Sequence, residues 1–344
     1  MLREFLTMRL DALLLSATLA LLGSSAPVAA NPSPAPVVTI VDGEAQVIRE
    51  SSRFTAVEGL RLEAEDIVHT ADGTRVVRIE FSDGSAVDLG PATRLQLQPR
   101  LAAESGTDRP SRLYALSGWF KLTGSGLGLA SPRLDATDVS GSVVLRIADD
   151  AVLAFVESGG LRLVERAATR PPLTHALKDG EAYVRQGDDA GTLTPRPGAA
   201  MLKAMPRAFT DSLPMRASRF QDRLVAPPAP TEIAYVDVAP WIHGERALRY
   251  GFVQRWRGKA REPQFRSALL AELAMHPEWD RTLFPEKYAP PKPRPVARAT
   301  TTPAAAPQVA TTLRAPLFAP ELLPLTSAAT PDRSPRVPSL PRLP

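Results

Sequence analysis

GEAQVIRESSRFTAVEGLRLEAEDIVHTADGTRVVRIEFSDGSAVDLGPATRLQL, residues 43–97, decides the fold class. Apolar and polar residues alternate with a period of two, most plainly at Val77-Arg78-Ile79-Glu80-Phe81, and that spacing gives a strand one core face and one water face. Asp72-Gly73 and Asp83-Gly84 fall where the alternation breaks, and Asp-Gly readily takes the positive-φ geometry of tight hairpins. The stretch predicts a β-meander.

The pattern continues downstream. Leu113-Tyr114-Ala115-Leu116 and Trp119-Phe120-Lys121-Leu122 alternate after a charged, Pro- and Gly-containing loop at residues 98–112. Three further strands are expected at residues 142–147, 152–156 and 160–164, with Asp149-Asp150 and Gly159-Gly160 as the turns between them. Gly124-Ser125-Gly126-Leu127-Gly128 lacks the Lys-Ser or Lys-Thr ending of a phosphate loop and opens no helix, so it reads as a strand connection. Many short strands with close turn signals predict a sandwich or roll of about 150 residues, a size that needs no metal or disulfide for stability.

These residues also resemble the FecR-like periplasmic domain family. The match runs in order through Gly43, Arg49, Gly59, Leu62, Asp66, Val68 and Thr70, then Val76, Arg78 and Ile79, then Asp83-Gly84-Ser85 and Leu89. It continues in Ala115-Leu116-Ser117-Gly118-Trp119, Leu129-Ala130-Ser131-Pro132, Asp138-Val139-Ser140-Gly141-Ser142, Val156-Glu157-Ser158-Gly159-Gly160 and Leu177-Lys178-Asp179-Gly180-Glu181. Ser142 stands where the family usually has Thr. The resemblance covers about residues 37–185 and implies a compact, non-enzymatic β-domain found in periplasmic proteins. The family's best-known members sense a loaded outer-membrane transporter and signal through one membrane helix to a cytoplasmic sigma factor. No regulatory segment precedes the N-terminal apolar stretch here, so that regulation is not carried over.

Outward from this core, residues 1–30 read as a secretory signal. Arg3 and Arg9 precede the apolar run 12–22, and Val28-Ala29-Ala30 supplies small residues for cleavage after Ala30. The alternative is an uncleaved anchor, but the apolar run is short against the roughly 20 residues that span a bilayer. The expected location is therefore the periplasm. The 344 residues hold no cysteine, which excludes disulfides, thiolate metal sites, cysteine nucleophiles and lipoprotein anchoring. Residues 31–36 form a Pro-rich spacer and residues 37–186 the FecR-like β-domain.

The remainder changes character. Residues 187–230 carry seven prolines together with Met201, Met205, Phe209, Leu213, Met215 and Phe220, which predicts an ordered strap with one or two helical turns. Residues 231–289 predict a small helical unit, because Leu248, Phe252 and Trp256 lie four apart, as do Phe265, Leu269 and Leu273. Glu262-Pro263 should start a helix and His276-Pro277 stop it. Trp241, Trp256 and Trp279 should form its centre, Trp279 acting as a plug. From residue 290 on, fourteen prolines and no apolar period predict a disordered tail. Its five excess positive charges account for the chain's net +4, so the rest reads as near neutral and no nucleic-acid partner is expected. The tail's charges suit only weak membrane or wall association, since salt screens them.

Chemistry is not expected. His69, His175, His243 and His276 show no ligand-like spacing, so no metal site is expected, and each reads as a surface or half-buried residue. The Ser-Gly-Ser at residues 140–142 is not a nucleophile elbow. Asp66, Glu80, Asp83 and Asp88 could be drawn into glycosidase-like pairs, but they read as solvated residues at strand ends. The sequence thus predicts a mainly β, non-enzymatic periplasmic protein without cofactor, acting as a binding, sensing or scaffold module for an envelope protein or anionic polymer. A membrane-anchored signal transducer is the first alternative and an envelope hydrolase the second. The sequence names no ligand-binding residue and fixes no oligomeric state.

Overall fold

The computed structural model describes residues 35–99, 112–167 and 170–290. The leader at residues 1–30, most of the spacer, the 100–111 loop and the tail from residue 291 lie outside the described residues. The strands in chain order are β1 (Val37–Asp42), β2 (Ala45–Arg49), β3 (Ser52–Thr55), β4 (Ile67–Thr70), β5 (Val76–Glu80), β6 (Ala86–Leu89), β7 (Arg94–Leu97) and β8 (Leu113–Ser125). Then follow β9 (Leu129–Ala130), β10 (Leu134–Ile147), β11 (Ala151–Ala167), β12 (Arg170–Lys178), β13 (Ala182–Gln186), β14 (Thr192–Thr194) and β15 (Thr231–Glu232). The protein is mainly β, with small helices toward its C-terminal side.

All the strands belong to one continuous hydrogen-bonded sheet, but the pairing divides it into two layers. In the first layer β1, β5 and β6 lead to the second half of β8, followed by the second half of β10, the first half of β11, β13 and β14. In the second, β15, β3, β2, β4 and β7 lead to the first half of β8, then β9, the first half of β10, the second half of β11, and β12. A shared apolar core fills the space between, with Val77, Ile79, Leu89, Phe120 and Leu145 from one layer and Val47, Val68, Leu95, Leu113 and Leu163 from the other.

Two sequence expectations need correction here. Residues 43–97 are not a simple meander. The β2–β3 and β5–β6 hairpins form as the turns predict, but Asp72-Gly73 carries the chain from one layer to the other, because β4 pairs with β2 and β7 while β5 pairs with β1 and β6. Likewise Gly159-Gly160 is not a turn between two strands. It is a bend inside the 17-residue β11, opposite a register shift in β10. Gly159 sits at φ +85°, and a Cβ there would lie 2.1 Å from the Ser140 carbonyl oxygen. Glycine lets the strand bend there and pass between layers.

Both outer faces are covered. On the first layer, Ile40, Val76, Trp119, Val144 and Leu153 pack against Met201 of α1 (Ala199–Ala204) and Phe209 of the following 3-10 turn. On the second, Ile48, Ile67, Tyr114 and Ala130 meet α2 (Tyr235–Ile242), α3 (Arg246–Arg255), α4 (Pro263–Ala271) and α5 (Asp280–Leu283). Trp241, Trp256 and Trp279 are all fully buried. Pro263 starts α4, which ends at Ala271, five residues before His276-Pro277, and short 3-10 turns complete the segment. Buried donors join this unit to the sheet: Trp256 Nε1 donates to the Glu50 carbonyl at 2.9 Å, and the Arg255 guanidinium to the Glu65 and Ile48 carbonyls at 2.6 and 3.1 Å.

Candidate functional site

A cluster of cations without ion-pair partners among the described residues lies in the helical unit. Past the end of α3 the chain turns at Gly258 into a 3-10 turn, then enters α4 through Pro263. Lys259 is buried, 2.5 Å from Glu262 Oε2 and 3.1 Å from Glu232 Oε2, so two exposed carboxylates neutralise its charge. Its neighbours differ. Arg257 and Arg261 are exposed, and neither has an ion-pair partner among the described residues. Together with Arg266 and Arg281 they line a cleft of about 650 Å3 whose one carboxylate is Glu286. Arg266 is held by a 2.6 Å hydrogen bond to the Leu283 carbonyl and lies over Phe284 at 5.8 Å, while Arg281 lies over Tyr288 at 5.7 Å. Four planar, permanently charged forks around one cleft suit phosphate or carboxylate oxygens, which guanidinium groups grip in bidentate fashion.

The sequence missed this site because these arginines are scattered over residues 257–281 among acidic residues, and a count of net charge cancels them. Only the folding of three short helices brings them to one rim.

The carboxylates considered for catalysis are placed differently from expectation. Asp66, Glu80 and Asp88 are buried rather than solvated, because each meets a buried or half-buried cation; Asp83 is exposed. Asp66 receives both forks of Arg49, at 2.9 and 2.6 Å, and the Glu63 backbone N–H at 2.8 Å. On the outer face of the first layer Arg78 donates to both Asp88 oxygens at 3.0 and 2.9 Å and lies 3.3 Å from Glu80. Glu80 also accepts from Thr39 Oγ1 at 2.7 Å and from the backbone N–H groups of Arg216 and Ala217 at 2.8 and 2.7 Å. Lys121 donates to the Phe209 carbonyl and lies 2.8 Å from Glu157, which accepts from Ser142 Oγ at 2.7 Å. Burial pushes the Asp88 carboxyl up to about 6 against the pull of Arg78, leaving it ionised at neutral pH. Beside this network is a second cleft of about 740 Å3, whose rim includes Asp88, Lys121, Glu157 and Asp211. Its carboxylates from the sheet, Asp88 and Glu157, are already paired with Arg78 and Lys121.

His69, His175 and His243 are half-buried, and one histidine departs from expectation. His276 is fully buried, and it converges with His243 and Glu272, 33 and 4 residues away in sequence. His69 stands apart from them, its Nε2 accepting from Trp241 Nε1 at 2.7 Å, and His175 lies beside Glu165 at 3.5 Å. Ser140 and Ser142 flank the bend where β10 crosses between layers, and Gly124 and Gly126 close the connection from β8 to β9 at positive φ.

No known family profile matches the chain, and no curated protein matches it. Among solved structures, two crystal structures of a "putative anti-sigma factor" from Parabacteroides distasonis are similar in part, at 13% and 12% identity, each with a TM-score of 0.30 over 38% of this chain. The matched region spans 59% of those chains' length. At that identity and score, nothing about their role is carried over.

Proposed function

We propose that this protein is a non-catalytic periplasmic binding module of the FecR-like kind, which holds an anionic component of the cell envelope in the arginine-lined cleft. The observation that carries this reading is the cleft itself: Arg257, Arg261, Arg266 and Arg281 face one space against the single carboxylate of Glu286. Such a rim attracts polyanions over several ångströms and fixes them by charge-assisted hydrogen bonds. Three further observations support it. The ordered FecR-like residues include the Arg49–Asp66 pair that ties β2 to the turn before β4. The buried carboxylates are occupied by Arg78, Lys121 and the strap, which favours binding over chemistry. The residue pattern at 1–30 is that of an export signal.

The test uses the full chain with polyphosphate and polygalacturonate as phosphate and carboxylate probes. Binding to one or both, falling steeply between 50 and 300 mM salt and reduced about tenfold by the double substitution Arg257→Gln/Arg261→Gln, is expected if the cleft is the site. Equal binding by the double variant would assign the charge effect to the basic tail instead. The mature N-terminus in the envelope fraction decides between a free periplasmic module, beginning at Asn31, and a membrane-anchored transducer that keeps its leader.

A further inference from the structure

We infer that His243, Glu272 and His276 form a binding site for a borderline transition-metal ion of the zinc class. The three residues come from two elements whose C-terminal ends meet. His243 caps α2, its backbone N–H donating to the Ala239 carbonyl at 2.9 Å. Glu272 caps α4, and His276 follows after one 3-10 turn. One ligand atom from each lies within 4.8 Å of the other two. His243 Nε2 and Glu272 Oε2 are 2.8 Å apart, and the two imidazole rings stack at 10° with their centroids 5.6 Å apart. A tetrahedral zinc ion with bonds of about 2.0–2.1 Å sets its ligand atoms roughly 3.4 Å apart, within reach of small side-chain rotations here.

Two further features point to a ligand. Tyr235 Oη sits among the three groups, 2.7 Å from Glu272 Oε2, 3.0 Å from His243 Nε2 and 3.4 Å from His276 Nε2, and so supplies a fourth donor atom, an oxygen, beside the ion. His276 is a fully buried imidazole whose Nδ1 has no hydrogen-bond partner among the described residues, and whose Nε2 has among them only the long contact to Tyr235. A buried ring so poorly satisfied is costly, and a metal–nitrogen bond at Nε2 would replace its one long contact with a short, strong one. Exposed Glu272 and half-buried His243 leave the site open to entry from solvent. The nearby cation Arg249 is paired with Glu278 at 3.2 Å and donates to the Met275 carbonyl, so its charge is partly neutralised. Two nitrogen donors with one carboxylate favour zinc, and the absence of thiolates disfavours copper(I). A bound ion would staple the C-terminal ends of α2 and α4 together.

The experiment uses the full untagged chain and Zn2+ alone, followed by calorimetry and thermal melting, with Ca2+ as the comparison. One ion per chain is expected at micromolar concentrations, with a rise in melting temperature of a few degrees at about 100-fold excess over the dissociation constant. His243→Gln and Glu272→Gln, both at solvent-accessible positions, should each weaken binding at least about tenfold while leaving the metal-free circular dichroism unchanged. Co2+ should give the visible absorption of a tetrahedral complex. The inference is overturned if Zn2+ does not saturate at one site, if Ca2+ binds equally well, or if both variants bind as the parent chain does.

Discussion

At the scale of single residues, the protein's buried ionisable groups act as fasteners between layers. His69 reaches from β4 to accept the indole N–H of Trp241, and burial, reinforced by Arg94, lowers its pKa to about 4. In the unfolded chain the same imidazole gains a proton near pH 6.5, so the stability it contributes is complete above that pH and is lost as the pH falls toward 4. The loss amounts to up to about 3 kcal/mol. His69→Gln, which keeps an acceptor but does not titrate, should flatten urea-denaturation stability between pH 6.5 and 4; an unchanged slope would place the acid sensitivity elsewhere. Glu80 fastens the other face. Glu80→Ala leaves Arg78 short of a partner and frees the backbone N–H groups of Arg216 and Ala217, at an expected cost of about 3–5 kcal/mol. Limited proteolysis should then cut the strap near residues 205–225 before the sheet.

At the scale of elements, the long strands depend on bends that only glycine permits. Gly159→Ala would drive a methyl group into the Ser140 carbonyl and hold a non-glycine residue at positive φ, so we expect a loss of at least about 2 kcal/mol in thermal or chemical denaturation. Helix packing makes a second prediction. Trp256 is fully buried, stacks on Phe252 with centroids 4.7 Å apart and bonds to Glu50, so Trp256→Ala should cost about 3–5 kcal/mol and loosen the helical unit. Period-two alternation showed where strands lie, and the four-residue spacing of Leu248, Phe252 and Trp256 showed a helix. The bends were not legible, because Gly-Gly has the same composition in a turn as in a strand that changes layers. Nor could the alternation reveal that the outward-facing Arg78, Glu80 and Asp88 would be covered, since a polar residue paired beneath a strap looks in sequence like one in water.

At the scale of the whole molecule, the sheet does not end where its strand pattern ends. Both its outer faces are closed by chain from beyond residue 186, on one side by the strap and on the other by the tryptophan-centred helices. A fragment ending at residue 186 should therefore expose Ile48, Ile67 and Tyr114 on one face and the Arg78–Asp88 pair on the other. Binding of a hydrophobic dye and self-association in gel filtration would measure this, and a monomeric, dye-silent fragment would show the sheet to be self-sufficient. The candidate sites were the least legible part of the sequence. Arg257 and Arg281 are 24 residues apart, and His243 and His276 are 33 apart, so it is tertiary packing rather than any local motif that makes them neighbours.

The pairing of Thr231–Glu232 with β3, across 178 positions for Arg53 and Thr231, has a kinetic consequence. On a chain lengthening at 5–20 residues per second, β3 waits about 10–35 s for the strand that closes its edge. Such a long-range pairing forms slowly, and the sheet stays incomplete until residue 232 has been made, with the helical unit still to follow. The fold is thus a fastening made late, and a chain interrupted before that point retains an open, adhesive sheet edge.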